Sequence, residues 1–442
     1  MSMLYPHHLL KMKEASEAKG STIWTTDGHK ILDGCSGAIA CSIGHGNEYV
    51  ASEMAKQTAA LSFSYRTQFR NSPCEKLAAR LTMRLGYASA FFVNSGSEAV
   101  EAAVRTAQQY WQAKGESAKL LILSRKLSYH GSTGASLALS GHWTRRRSVI
   151  GLPTRPTLPT PYCYRSAFPE SPQDYGYRCA KALETEIGEL GASNVAAFLL
   201  EPITGASGAA IVPPPGYLEE VAAICNRNDV LLIVDEVLTG LGRAGYWLAQ
   251  ELGNVKADIV CVGKGLNAGY WPISGILLNA EITSVISDVP GGYNYGHTHS
   301  GHPVGAAVAN AVLDLLEGEC LVERTLQSGK IIRDQLTDLT KDNPFIGEVR
   351  GSGHFWGLEL VRDRDTRETF TPTVNASGRF VNDALEKGLL LYPSAGFAAQ
   401  HHGDAIIFAP PLNISPSDFA QMIEILSKTI KDYRPENNDT PR

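Results

Sequence analysis

The chain has 442 residues, more than one hydrophobic core ordinarily organises, so two or three domains are expected. Lysine and arginine number 40 against 45 aspartates and glutamates, a net charge of −5, and this near balance excludes the basic footprint of a nucleic-acid or anionic-membrane binder. The longest apolar runs are strand-sized, far short of the roughly 18 residues of a membrane span.

Reading from the N-terminus, residues 1–13 lack a basic start followed by an apolar core, so no secretory signal is expected. Eight cysteines stand at 35, 41, 74, 163, 179, 225, 261 and 320. None forms a CxxC pair, which predicts free thiols in a reducing, cytoplasmic setting. Phe91-Phe92-Val93 reads as a strand that turns through Asn94-Ser95-Gly96-Ser97 into an amphipathic helix. Its apolar set is Val100, Ala103, Val104, Ala107, Tyr110 and Trp111, with Gly115 as the stop. Free backbone N–H groups at such a turn make an anion site, although taken alone a plain helix cap is the simpler reading. Leu120 to Leu123 is the next strand-like run. Arg145-Arg146-Arg147 reads as a solvated face, with a contact to a substrate carboxylate as the lesser alternative. Six prolines between Pro153 and Pro172 exclude a helix or central strand and predict an extended surface excursion.

Ala197 to Leu200, Val230 to Val234 and Ile259 to Val262 are continuous apolar runs, the pattern of strands covered on both faces. The second ends in Asp235-Glu236. The third runs into Gly263-Lys264-Gly265. A desolvated lysine between two small residues becomes a nucleophile toward carbonyls. His297, His299 and His302 lack the acidic or cysteine partners of a metal site, so none is expected. Beyond residue 320, Leu321 to Asp338 reads as a helix. Gly351-Ser352-Gly353 with Gly357 reads as a tight turn rather than a dinucleotide fingerprint. Ser415, Pro416 and Asp418 open a last helix with an apolar stripe of Phe419, Met422, Ile423 and Leu426.

This alternation predicts an α/β fold: a large domain with a mostly parallel central sheet plus a smaller α+β domain. The expected boundaries are an N-terminal segment over 1–55 that packs with the small domain, the large domain over 56–320 and the small domain over 321–442. Lys264, the strand-end carboxylate Asp235 and the helix start at Gly96 together fit pyridoxal 5'-phosphate. The lysine bonds its aldehyde, the carboxylate pairs with the pyridine nitrogen and the helix start holds the phosphate.

With these residues in place, the chain resembles the class III, or omega, aminotransferases of fold type I. The matching blocks are Asn94 to Ala99, Tyr129-His130-Gly131, Glu201-Pro202-Ile203, Asp235-Glu236-Val237 with Gly240 and Gly242-Arg243, Gly263-Lys264-Gly265, Thr298 to Pro303 and Ala409 to Leu412. The resemblance implies that Lys264 bonds the cofactor and carries the proton between it and substrate, while Asp235 keeps the pyridine nitrogen protonated. Tyr129 stacks on one face of the ring and Val237 on the other. Ser95, Gly96 and Ser97 hold the phosphate, His130 belongs to the cofactor site and Glu201 lies near the ring. Thr298 reaches the phosphate in a neighbouring subunit, which implies a homodimer. The implied reaction is a ping-pong transfer from an amine donor to a keto acid or aldehyde. A racemase or decarboxylase of the same fold, or a non-catalytic pyridoxal-phosphate-binding protein, stays as an alternative. The arginine that grips a substrate carboxylate in amino-acid-specific relatives is replaced here by Ile407. Its neutralising glutamate is replaced by Ala206, and a glutamine of those relatives by Leu238. An apolar wall, and a donor without a carboxylate at that place, are therefore expected.

Overall fold

The computed structural model describes residues 13–152, 156–166 and 170–435. Almost all of the stretch read for a secretory signal, together with Pro153 and Pro169, lies outside them. The strands, in chain order, are β1 (Ala15–Lys19), β2 (Thr22–Thr25), β3 (Lys30–Asp33), β4 (Ser89–Val93) and β5 (Leu121–Leu123). Next come β6 (Val195–Leu200), β7 (Leu231–Asp235), β8 (Ile259–Val262), β9 (Ser274–Leu278) and β10 (Ile346–Ser352). The last are β11 (Phe355–Leu360), β12 (Leu389–Leu390), β13 (Tyr392–Ala395) and β14 (Asp404–Phe408).

Six strands form the large sheet in the order β4-β9-β8-β7-β6-β5. β5 to β8 are mutually parallel. β9 runs antiparallel between β4 and β8, so β4 again points the same way as β8. Strand β9, the one antiparallel member, was not anticipated. Every residue of β6 to β9 is buried, because helices cover both faces. Leu231, Ile233, Ile259 and Cys261 pack with the helix Gly96–Ala113 on one face. Leu232, Val234, Val260 and Val262 pack on the other with helices that include Pro172–Leu190 and Pro303–Gly318. The alternation is the two-residue period of a strand.

The second sheet, β10-β11-β14-β13, is antiparallel throughout. Its core joins Leu358 and Ile406 to Ile332, Phe380, Met422 and Leu426 of the helices Leu321–Thr340, Ala376–Glu386 and Pro416–Asp432. The last helix starts as expected, with the Asp418 N–H donating to Ser415 Oγ at 3.1 Å. Gly351 and Ser352 still pair in the β10–β11 ladder, and the tight turn is Gly353-His354, where Gly353 takes a φ of +58°. A third sheet, β1-β2-β3-β12, joins the two ends of the chain, with Leu389 of β12 beside Leu32 of β3.

The proline-rich stretch departs from its expectation. Among its described residues before Pro172 the only regular element is the one-turn 3-10 helix Cys163–Arg165, and they are not a surface excursion throughout. Leu158 is 3% and Tyr162 6% exposed. Leu158 bridges to Arg125 beside β5, and the Arg350 guanidinium lies 4.8 Å over the Tyr162 ring. Proline prevents regular pairing yet leaves its neighbours free to pack. Among the described residues no helix is long and apolar enough to cross a membrane.

Candidate active site

Parallel strands deliver their carboxyl ends to one edge of a sheet, where ligands gather. Here that edge receives β4, β7 and β8. Asp235 closes β7 opposite Cys261 of β8, and Lys264 follows β8 after Gly263. β4 ends at Val93, and the helix Gly96–Ala113 begins just beyond it. The cleft encloses a cavity of about 290 Å³. Ser95, Gly96, Ser97, Tyr129, His130, Glu201, Asp235, Val237 and Lys264 all line it. Of the residues expected at the site, Thr298 is the exception: it is exposed and outside the lining.

The helix start is a capping box. Ser95 Oγ accepts the Glu98 N–H at 3.2 Å, and Glu98 Oε2 accepts the N–H groups of Asn94 and Ser95 at 2.8 and 3.0 Å. Cap and anion site are therefore both present. The box takes up the outer donors, while Gly96 and Ser97 are first-turn residues whose N–H groups have no partner within the helix. Gly96 also lets the backbone come close. A Cβ there would stand 2.7 Å from Val237 Cγ1, and one at Gly263 would stand 3.1 Å from the same atom. Val237 is thus wedged between two glycines.

Asp235 is 5% exposed and bonds His130 Nδ1 at 2.8 Å. An ionised carboxylate can only accept, so the proton of this bond belongs to His130 Nδ1. The second oxygen accepts the Val237 N–H at 3.1 Å. The His130 backbone N–H donates to Ser140 Oγ at 2.7 Å, whereas its Nε2 is buried without a partner. Glu201 accepts the N–H groups of Tyr129 (3.1 Å) and Gly205 (2.8 Å), and burial pushes its carboxyl up. Arg125 donates to the Glu201 carbonyl at 2.6 Å.

Lys264 sits at φ +33°, a left-handed conformation that costs a non-glycine residue about 1–3 kcal/mol. Bonds from Asn267 N–H and Ala268 N–H to its carbonyl, at 3.1 and 2.8 Å, hold it there. Burial lowers its amine from 10.5 to about 8, Asp235 and Glu201 oppose the shift, and Arg243 adds to it. At pH 8 about half of such amines are neutral, against roughly one in three hundred ordinary lysines.

Ala206 and Leu238 line the cleft, but Ile407 does not: it is 0% exposed within β14. Of the three arginines, Arg146 gives its guanidinium to the carbonyls of Leu137, Ala138 and Ser140 at 2.6–2.9 Å. Arg145 faces the phenol of Tyr392, which pairs with Ile407 across the strands. Among the described residues no three metal-ligating side chains come together; His299 and His302 instead pack edge-on against Phe63. Sequence reasoning missed Ala40, Thr239, Asn267 and Ser274 of the lining. Ser274 opens β9, and the apolar run Ile276-Leu277-Leu278 was the signal for that strand. Ala40 carries no signal of its own.

The sequence pattern of the family described as aminotransferase class-III matches residues 6–430. The chain is 42% identical to an uncharacterized aminotransferase, YodT, of Bacillus subtilis, over 94% of each chain. It is 34% identical to the putrescine–pyruvate aminotransferase of Pseudomonas aeruginosa, over 94% of this chain and 90% of that one. Among solved structures it is similar to an amine transaminase from an uncultivated Pseudomonas species in the PLP-bound form. That match has a TM-score of 0.90 and 33% identity, and covers 98% of this chain and 97% of that one. A lysine with a lowered amine, a strand-end carboxylate and a helix start meet in one cleft, and relatives align over almost the whole length: the chain belongs to the class-III aminotransferases.

Proposed function

We propose that this aminotransferase works with pyridoxal 5'-phosphate in the described cleft and takes its amino group from an amine or omega-amino donor. The observation that carries the reading is the convergence of Lys264, with its amine lowered to about 8, and the carboxylate of Asp235 on a cradle built around Gly96. The residues fit the group. The Gly96 backbone leaves room no side chain could share, the first-turn N–H groups suit a phosphate, and the orphan His130 Nε2 lies in the lining. The bound cofactor supplies an electron sink for the substrate carbon. The protein's part is to hold and move protons around it. Neutral Lys264 takes the proton from the donor carbon and returns it to the acceptor. Asp235, oriented by His130 and the Val237 N–H, keeps its charge toward the ring nitrogen. Tyr129 and Val237 would flank the ring, and Glu201 holds the Tyr129 backbone through its N–H.

Ala206 and Leu238 support a donor without a carboxylate at that wall, and so does the similarity to a relative named for putrescine and pyruvate. A terminal amine should exceed L-glutamate in kcat/KM by at least tenfold, about 1.4 kcal/mol, with a common keto-acid acceptor. If glutamate wins by that factor, the wall does not set the preference. In the same assay the donor should lose its nitrogen, which neither a racemase nor a decarboxylase would bring about.

The exposed Thr298 supports a site shared between subunits, since its own cleft does not use it. Light scattering on cofactor-loaded protein should give at least twice 47.7 kDa, and Thr298→Ala should weaken cofactor retention. An active monomer would contradict this. All eight cysteines are free, which supports a cytoplasmic setting.

A further inference from the structure

Two loops from different sheets meet beside the cleft. One follows β5 and carries residues 142–147; the other, residues 396–403, joins β13 to β14. Their tips form a face-to-face pair: the Trp143 and His401 rings are 3.9 Å apart and 4° from parallel. Both residues are exposed, so burial in a core does not explain the pairing. Nearby the backbones also run close, and a Cβ at Gly396 would stand 3.6 Å from Thr144 Oγ1. Arg146 ties the first loop down through the carbonyls of Leu137, Ala138 and Ser140. The second loop is shaped for the contact. Gln400 and His401 take left-handed φ values of +55° and +62°, which residues with a side chain rarely adopt. Cross-loop bonds hold them there: the N–H groups of Gly396, Ala398 and His402 donate to the carbonyls of Gly403, His402 and Ala399 at 2.9, 2.8 and 3.1 Å. Strain held this firmly collects at ligand clamps and switch segments.

Both ends of the pair lead to the lining. On one side His142 precedes Trp143 and meets the Tyr129 ring edge-on at 5.7 Å, and Tyr129 lines the cleft. On the other, Phe397 and Ala398 lead to His401 and share an apolar cluster with Leu238, which also lines it. The cavity of about 290 Å³ must take cofactor and donor together, whereas pockets for a drug-sized ligand alone run from about 300 to 1,000 Å³. A wide donor therefore needs the walls at Tyr129 and Leu238 to part, and the stacked pair bridges the loops behind them.

We propose that Trp143 and His401 determine donor specificity: stacked, they clasp the two loops and restrict the cleft to slender, unbranched amines. The inference rests on the amine-donor reading and adds to it two residues that act by positioning the walls. Neither lines the cleft itself.

The test compares kcat/KM for butylamine and for racemic 1-phenylpropylamine, with pyruvate as common acceptor, on cofactor-loaded full-length protein. Wild type should favour butylamine. Trp143→Ala and His401→Ala should each lower that preference at least tenfold through the KM of the bulky donor, with kcat for butylamine within about threefold of wild type. The double variant should lower it no further than either single one, because the two rings act as a unit. His401→Phe, which keeps a flat ring, should restore the preference; a merely loosened fold would not be rescued in this way. Fluorescence gives a readout without turnover. His401→Ala should change the tryptophan emission of the wild type and leave that of a Trp143→Phe background unaltered. An unchanged preference in both alanine variants, additive losses in the double variant, or no difference in emission overturns the proposal. If no amine were turned over by the wild type, the functional reading would fall and this one with it. Turnover with an unchanged preference sinks the clasp alone, which separates the two failures.

Discussion

Lys264→Ala is expected to leave less than about one thousandth of the wild-type turnover, since both covalent attachment and proton transfer depend on one amine. Two structural facts make rescue from elsewhere improbable. The Lys264 backbone is held at φ +33° by its own loop, so no neighbour can take its place without undoing that turn. The amine is lowered to about 8 by burial, a setting that surface lysines lack. The cradle of Gly96, Ser97 and Val237 is untouched by the change. The variant should therefore keep cofactor by equilibrium dialysis while losing the absorbance of the lysine-bound form. Turnover within tenfold of wild type would overturn the assignment of Lys264.

Asp235→Asn should follow, with kcat down by about 10²–10⁴ and the fold unchanged. An amide is nearly the same size, so β7 and its pairing with Cys261 persist, but the charge proposed to pair with the ring nitrogen is gone. The change reaches a second residue. His130 Nδ1–H donates to Asp235 at 2.8 Å; an asparagine can offer either an oxygen or an NH₂ there, so the proton preference of His130 relaxes. Nitrogen NMR of the imidazole should show the altered proton position even in protein without turnover, a readout that a purely packing role would not move. Activity equal to wild type would mean that the carboxylate holds structure alone.

Both residues were legible in the sequence for one physical reason. Strands buried on both faces leave continuous apolar runs, so a charged residue at the end of a run stands out. Asp235 and Lys264 are such residues, and the helix start at Ser95 was marked by its cap chemistry. The direction of β9 was not legible, because an antiparallel strand inside a covered sheet has the same apolar run as its parallel neighbours. Ile407 was placed at the substrate wall by its position relative to Ala-Pro-Pro-Leu, yet it lies beneath the surface while Ala206 and Leu238 reach it. Tyr162 and Leu158 could not be foreseen as buried, since what covers them comes from β10 and from β5, far away in the chain.

The pairing of β3 with β12 also orders events in time. Leu32 and Leu389 are roughly 350 residues apart, and such distant pairings form late. A ribosome releases the N-terminal segment first; β1, β2 and β3 can pair with one another and Asn47 can meet Tyr270, but the outer edge of β3 has no partner until β12 has emerged. The large sheet, complete by Leu278, can form while synthesis continues. A chain cut short before residue 389 would therefore leave the β3 edge open to other chains.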